Sequence, residues 1–273
     1  MRKFLLIIAS VLMLSAYTEA QVVVNSDYDK ELFKSRVKLV EGFMRRFNLT
    51  EILHTIDTTQ ADYMQKNILS LFDAQLFGTK GEKDSLFKEA QSFAKDVLKT
   101  GTKLHYEDTT WFAIAPCHGK FKGKPVDFVL MLNVEEYAED SYKWVIANAE
   151  GDIFKLTPSS TGNDILITPL AHETNFMELG RITTQKDDWI LNYSQKQYEL
   201  DPTAVFFAYV NAGLLDIEYV KNLQFMFLQL PGWKFTIMDF DRQTMNAGWL
   251  ITSFEKMNNQ DKKKLLENVY HKK

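Results

Sequence analysis

The sequence predicts an α+β fold, with N-terminal helices packed on an antiparallel sheet. Apolar residues recur at helical spacing in the first third of the chain, which ends at Gly101. From Thr110 onward the pattern changes to alternating and extended apolar runs, which are typical of strands. Aromatic residues are abundant, with 20 Phe, 11 Tyr and 5 Trp, and they suit a core filled with rings.

Three helices are predicted ahead of the strands. The first covers residues 27–47 and the second 59–77, ending at Gly78, while the third runs from about 84 to Gly101. In each helix the apolar residues recur at helical spacing and so form one stripe. A glycine directly after such a stripe is a common helix end, because glycine adopts a left-handed backbone at little cost.

Strands are predicted in both halves of the chain. In the first half they cover residues 111–115, 126–134 and 142–149, with a turn region at 121–125 and a further extended segment at 153–156. In the second half, Asp201 and Pro202 start a helix that runs to about Ala212. The strands that follow this helix are predicted at 223–230, 233–240 and 249–254.

The two halves share an order of elements that suggests an internal duplication. The third strand of each half carries a tryptophan followed by two aliphatic residues, Trp144 in the first and Trp249 in the second. Duplication would give two helix-plus-three-strand units, residues 21–157 and 158–273, divided by turn-forming residues at 158–164. Chance recurrence of the pattern and a single merged domain stay open as alternatives.

The first 20 residues are expected to form a cleavable signal peptide. Arg2 and Lys3 provide positive charge, residues 4–14 form an apolar run, and Ala20 precedes a suitable cleavage site. The run is shorter than the roughly 20 apolar residues of a membrane-spanning helix. An apolar core helix is the alternative. We expect a soluble protein, periplasmic or extracellular, with no stable membrane insertion after cleavage.

Charge and cysteine content narrow the classes of partner and the sources of stability. Cleavage removes Arg2, Lys3 and Glu19, so the formal net charge changes from −4 to −5, and nucleic acid is not an expected partner. Lysines near the C-terminus, Lys262 among them, are expected on the solvated face of a terminal helix. Cys117 is the single cysteine, so no disulfide can form within the chain.

Cys117 and His118 suggest a cysteine nucleophile beside its base. Such a site needs a thiolate that is activated by a histidine across a hydrogen bond. Adjacent residues on a strand point to opposite faces, and Pro116 and Gly119 predict a strand end or turn here. A structural cysteine beside an exposed histidine is therefore the favoured interpretation.

The densest group of chemically capable side chains lies at His172, Glu173 and Asn175, with Arg181 nearby in sequence. We predict the functional surface there, together with Cys117 and His118. Helix capping is the alternative use of the polar groups. The spacing differs from the two-histidine zinc motif, in which the histidines lie four residues apart, so no metal or cofactor is predicted.

Helices at 27–47, 59–77 and 84–98, followed by strands around Trp111, Phe128 and Trp144, resemble the nuclear transport factor two-like and cystatin-like folds. The resemblance implies a strongly curved antiparallel sheet that the helices cover. It also implies an apolar pocket that binds small ligands or proteins. Trp111, Trp144 and Trp249 are then candidates for that pocket or for the core. The chain is also similar to signal-peptide-bearing proteins that Gram-negative gut bacteria export in large numbers.

These observations favour a non-enzymatic exported protein that binds a small molecule or a protein partner. No phosphate-binding glycine loop and no G-x-S-x-G motif occurs in the sequence. The alternative is a small-molecule hydrolase or isomerase with a pocket near His172 and Glu173.

Overall fold

The computed structural model describes residues 40–83, 85–138, 141–155, 195, 200–242 and 246–270. The signal peptide, the loop at 158–164 and the cluster from His172 to Arg181 lie outside these residues. Residues Leu39–Lys273 form one compact unit. The boundary between 157 and 158 stays a prediction.

Five helices and seven strands are named here in chain order. The helices are α1 (residues 40–47 of the described part), α2 (Tyr63–Leu69), α3 (Ser85–Thr100), α4 (Pro202–Asn211) and α5 (Asn259–Tyr270), with 3₁₀ helices at Ala74–Lys83 and Asp152–Phe154. The strands are β1 (Trp111–Phe121), β2 (Lys124–Ala138), β3 (Ser141–Glu150), β4 (Leu215–Val220), β5 (Gln224–Phe227), β6 (Trp233–Phe240) and β7 (Gly248–Lys256).

The strands form one antiparallel sheet, and the predicted α+β class is confirmed at that level. The order is β3-β2-β1-β5-β6-β7, and β4 pairs with the part of β1 that β5 leaves free. Strands from both halves of the chain therefore meet at the β1–β5 pair in the middle of the sheet. Among the described strands, β3 and β7 do not pair with each other, so the sheet is open.

Two of the predicted helices agree well with the structure, and the one at 59–77 agrees only in part. Of the helix predicted at 27–47, residues 40–47 are described and are helical. The helix α3 ends directly before Gly101, which has a left-handed φ of 62°, and Asp201 caps α4 by accepting from the Thr203 N–H. The helix predicted at 59–77 is confirmed only over Tyr63–Leu69, because α2 ends there and the chain then bridges to β7. The backbone of Ile251 bonds to this segment at both its N–H and its C=O, which a continuous helix would not allow.

The sequence pattern placed the end of the first strand too early. The strand β1 continues through Pro116 to Phe121, where the prediction had a strand end or turn at Pro116–Gly119. Pro116 lies at the junction between the β5-paired and β4-paired parts of β1, and its carbonyl accepts from the Lys221 N–H over 2.7 Å. The hydrogen-bond ladder is interrupted where the partner of β1 changes from β5 to β4. Proline is tolerated at this point because the ladder does not need the N–H that proline lacks.

Aromatic rings fill the space between the sheet and α1–α3. Four of them stack nearly in parallel: Phe47 on Phe235 at 5.6 Å between ring centroids, Phe235 on Phe227 at 5.1 Å, and Phe227 on Trp111 at 5.2 Å. This four-ring stack joins α1 to β6, β5 and β1. The helix α4 covers the rest of the same sheet face, over Cys117 and Phe128, and α5 covers part of the opposite face.

The sequence suggested that Lys262 lies on the solvated face of α5, and this prediction is wrong. Its side chain is only 7 % exposed, and its amine donates to the carbonyl oxygens of Leu228, over 2.7 Å, and Leu230. Burial lowers the pKa of this amine to about 8. The amine therefore fastens the first turn of α5 to the connection between β5 and β6.

The substitution Phe93→Ala tests the aromatic core. Phe93 in α3 is fully buried and packs against five other rings, those of Phe47, Phe72, Trp233, Phe235 and Phe254. Its loss should lower the free energy of unfolding by about 3–5 kcal/mol in urea titrations, because a cavity is left among rigid rings.

Phe207→Ala is the matched control, because the Phe207 side chain is 50 % exposed. We expect it to change the free energy of unfolding by no more than about 0.5 kcal/mol. Equal effects of the two substitutions would contradict the assignment of Phe93 to the centre of the core.

Candidate functional site

His172, Glu173, Asn175 and Arg181 lie outside the described residues, so the functional surface expected there stays a prediction. The other candidates, Cys117, His118 and the three tryptophans, are described. They occupy two different environments: the buried inner face of the sheet, where the helices pack, and its opposite, outer face.

Cys117 is buried on the inner face of β1. Its side chain is 1 % exposed, among Phe128, Phe206 and Leu215, and its thiol donates to the Ala115 carbonyl over 3.3 Å. Burial raises the pKa of the thiol to about 11, so the thiol stays protonated at neutral pH. This environment suits packing and gives a nucleophile no activation.

The three tryptophans lie in the core together with Phe225. Trp111 and Trp249 are 0 % and 1 % exposed, and Trp144 is partly buried. The Phe225 ring lies 5.9 Å from Trp144 and 4.9 Å from Trp249, and Trp111 lies 5.3 Å from Trp144. These rings pack against one another, and the Trp111 indole N–H donates to the Tyr106 carbonyl over 3.0 Å.

A group of charged and polar side chains lies on the outer face of the sheet, where β1, β2 and β4 adjoin. We call it the His118 patch. Its members come from β1, β2, β4 and the residue after β4: His118, Lys120, Asp127, Glu218, Tyr219 and Lys221.

Asp127 and His118 are at the centre of the His118 patch. The His118 Nδ1 atom lies 2.6 Å from one oxygen of Asp127, and the Lys221 amine lies 2.7 Å from the other. The second ring nitrogen of His118 lies 3.9 Å from a carboxylate oxygen of Glu218, which also pairs with Lys120. The imidazole is therefore held between two carboxylates.

A β-bulge brings Glu218 to this face. The register between β1 and β4 shifts after His118, so that Tyr219 pairs with His118 and Ile217 with Gly119. The extra residue, Glu218, is left between them, and a bulge of this kind turns its side chain toward its neighbour's side of the sheet. The side chains of Glu218 and Tyr219 consequently both contact His118.

Gly119 allows β4 to lie this close to β1. A Cβ atom at this position would lie 2.1 Å from the Asp216 carbonyl oxygen, which is far inside contact distance. Only glycine fits between the two backbones without displacing β4.

The ion pairs shift the pKa values of their members. Hydrogen bonds from Lys221 and then from His118 hold the pKa of Asp127 below its usual value, and Glu218 raises the pKa of Lys120. Asp127 is 62 % exposed and Lys120 48 %. At such exposure solvent screens the attraction, so these ion pairs contribute little to stability.

The side chains of the His118 patch can form hydrogen bonds and ion pairs with a molecule that lies on the sheet surface. A carboxylate on Nδ1, as Asp127 is here, can also orient a histidine as a general base. Within the part of the chain that the structure describes, no three His, Cys, Asp or Glu side chains are grouped to hold a metal ion.

Sequence reasoning identified His118 but missed its partners. Asp127, Glu218 and Lys221 are common surface residues, and only the register of β4 on β1 brings them together. The alternation of the β1 strand did predict that Cys117 and His118 point to opposite faces.

No protein-family model matches the chain, and neither does any curated protein or solved structure. Among the described residues, no helix is both long and apolar enough to cross a membrane.

The burial of Cys117 predicts that a thiol reagent will not reach it in the native protein. With a disulfide reagent at mildly alkaline pH, the folded chain should react many times more slowly than the chain in denaturant. The cause is both the closed core and the small thiolate fraction. The measurement is the absorbance of the released thiolate over time. A native rate close to the denatured rate would contradict the buried position.

Proposed function

We propose that the protein is an exported, non-enzymatic scaffold that binds a protein partner through the His118 patch. The observation that carries the proposal is the bulge in β4, which adds Glu218 to a network that already links β1 and β2. A polar surface with charges of both signs fits a partner with complementary charges and hydrogen-bonding groups.

Stability alone does not account for the His118 patch. Its ion pairs are solvent-exposed, and such pairs stabilise a fold little, whereas the bulge interrupts the ladder between β1 and β4. Bulges at a sheet edge frequently redirect a side chain toward a binding or active site. A binding role explains why the patch is built at the expense of regular pairing.

The remaining parts of the proposal come from the sequence and the topology. The charged and apolar runs in residues 1–20 support export. Two three-stranded units, β1-β2-β3 and β5-β6-β7, lie side by side in the sheet, which supports an internal duplication. The helices α1–α4 over one face of an antiparallel sheet are in keeping with a nuclear transport factor two-like or cystatin-like relationship.

A small-molecule hydrolase or isomerase is the second candidate. The 2.6 Å contact between His118 and Asp127 favours it, since a carboxylate can orient an imidazole for proton transfer. Cys117 cannot supply a nucleophile to this site, because it lies on the opposite face of β1 in the closed core. Binding therefore accounts for more of the arrangement than catalysis does.

The test compares two paired substitutions in the full chain, tagged at its C-terminus and recovered from the exported fraction of its source cells. The variant E218A/K221A removes two charges from the His118 patch. The control K234A/E255A removes an equally simple cross-strand ion pair between β6 and β7.

We expect a protein that co-purifies with the wild type and with the control. Its recovered amount should be about tenfold or more lower with E218A/K221A. Its retention should also weaken as salt is raised, because salt screens exposed charges. Equal recovery with all three chains would refute the role of the His118 patch. Recovery of a chain that still begins at Met1 would refute export with cleavage.

A further inference from the structure

The strand β4 pairs with a neighbour on one side only, within the residues that the structure describes. Two backbone hydrogen bonds fix its ends on β1: the Lys122 N–H donates to Leu214 over 2.8 Å, and the Lys221 N–H donates to Pro116 over 2.7 Å. Among the described residues no strand pairs with the other long side of β4, and an open edge of this kind can accept a further strand.

These two bonds determine which backbone groups of β4 face the open edge. In an antiparallel ladder, residues alternate between pointing their N–H and C=O groups at one neighbour and at the other. The bonds at both ends therefore direct the groups of Asp216 and Tyr219 to β1. The groups of Ile217 and Val220 point to the open edge.

Apolar side chains are exposed along the same strand. Ile217 is 44 % exposed and Tyr219 39 %. The helix α4, which packs against β4 from the inner face, carries no charged residue and exposes Phe207 and Val210. Apolar side chains beside an open strand edge can be buried when a further strand joins that edge.

The sequence of β4 is complementary to itself when read in the opposite direction. In an antiparallel pair of two copies centred between Glu218 and Tyr219, Asp216 lies opposite the partner's Lys221, and Ile217 lies opposite the partner's Val220. Opposite residues share a face of the sheet, so two ion pairs form on the outer face and two apolar contacts on the inner face.

We propose that β4 joins a second copy of this chain, edge to edge, in a two-fold symmetric dimer with a continuous sheet. The residues that point to the open edge, Ile217 and Val220, are also the ones that meet in this register, so their N–H and C=O groups bond to each other. The bulge residue Glu218 then lies opposite the partner's Tyr219, and the two bulges match by symmetry.

The dimer rests on the open edge of β4 and not on the proposed function. A second copy is favoured over an unrelated strand because, in this one register, Asp216 and Lys221 each lie opposite a residue of opposite charge. The test of the proposed function and the test of the dimer can fail separately. The first measures the recovery of a co-purifying protein, and the second measures the mass of the purified chain by itself.

The experiment measures the mass of the exported chain by sedimentation equilibrium over a concentration series. Asp216→Lys and Lys221→Asp each replace two ion pairs at the interface by two like-charge contacts. Each should raise the dissociation constant of the dimer about tenfold or more. An equimolar mixture of the two variants restores both ion pairs, so it should dimerise where each variant alone is monomeric.

Asp152→Lys is the control, because Asp152 is 99 % exposed and lies outside β4, and it should leave the dimer unchanged. Since Lys221 also binds Asp127, Ile217→Lys is a second disrupting variant in case Lys221→Asp folds poorly. It should be monomeric with an unchanged circular dichroism spectrum. A monomeric wild type, disrupting variants that dimerise like the wild type, or a mixture that stays monomeric would each overturn the proposal.

Discussion

Parallel stacking of four aromatic rings is the contact on which the rest of the structure depends. Phe47 of α1, Phe235 of β6, Phe227 of β5 and Trp111 of β1 form one continuous row. The row crosses the middle of the sheet, where strands from the two halves of the chain meet. With a single cysteine the chain has no internal disulfide, so core packing, of which these rings are a large part, stabilises the fold.

The strand β1 connects the four-ring stack to the candidate site. Its first part is held by Trp111 in the stack, and its last part pairs with β2 and β4. The same strand buries Cys117 on one face and presents His118 on the other. The buried core thus supports a polar surface at whose margin β4 pairs with β1.

Much of the fold could be read from the sequence, because periodicity reports burial directly. The last part of the first apolar stripe, from Val40 to Phe47, lies in a real helix. The cap at Asp201 and the alternation of Trp233, Phe235 and Ile237 also correspond to real elements. The strand β4 was not predicted, since its centre is Asp-Ile-Glu-Tyr and an edge strand needs no apolar face. The ion pairs of Asp127 depend on which strands become neighbours, and that follows from global packing.

Amide hydrogen exchange tests the central claim most directly, because it measures the free energy of opening at each strand. We expect the amides of Phe225 and Phe227 in β5, and of Phe235 and Ile237 in β6, to exchange only through global unfolding. Their free energy of opening should equal the free energy of unfolding from denaturant titration. No amide in β2 or β3 should exchange more slowly than these. Exchange in β5 and β6 at lower free energy than in β2 and β3 would contradict a fold organised around the stacked rings.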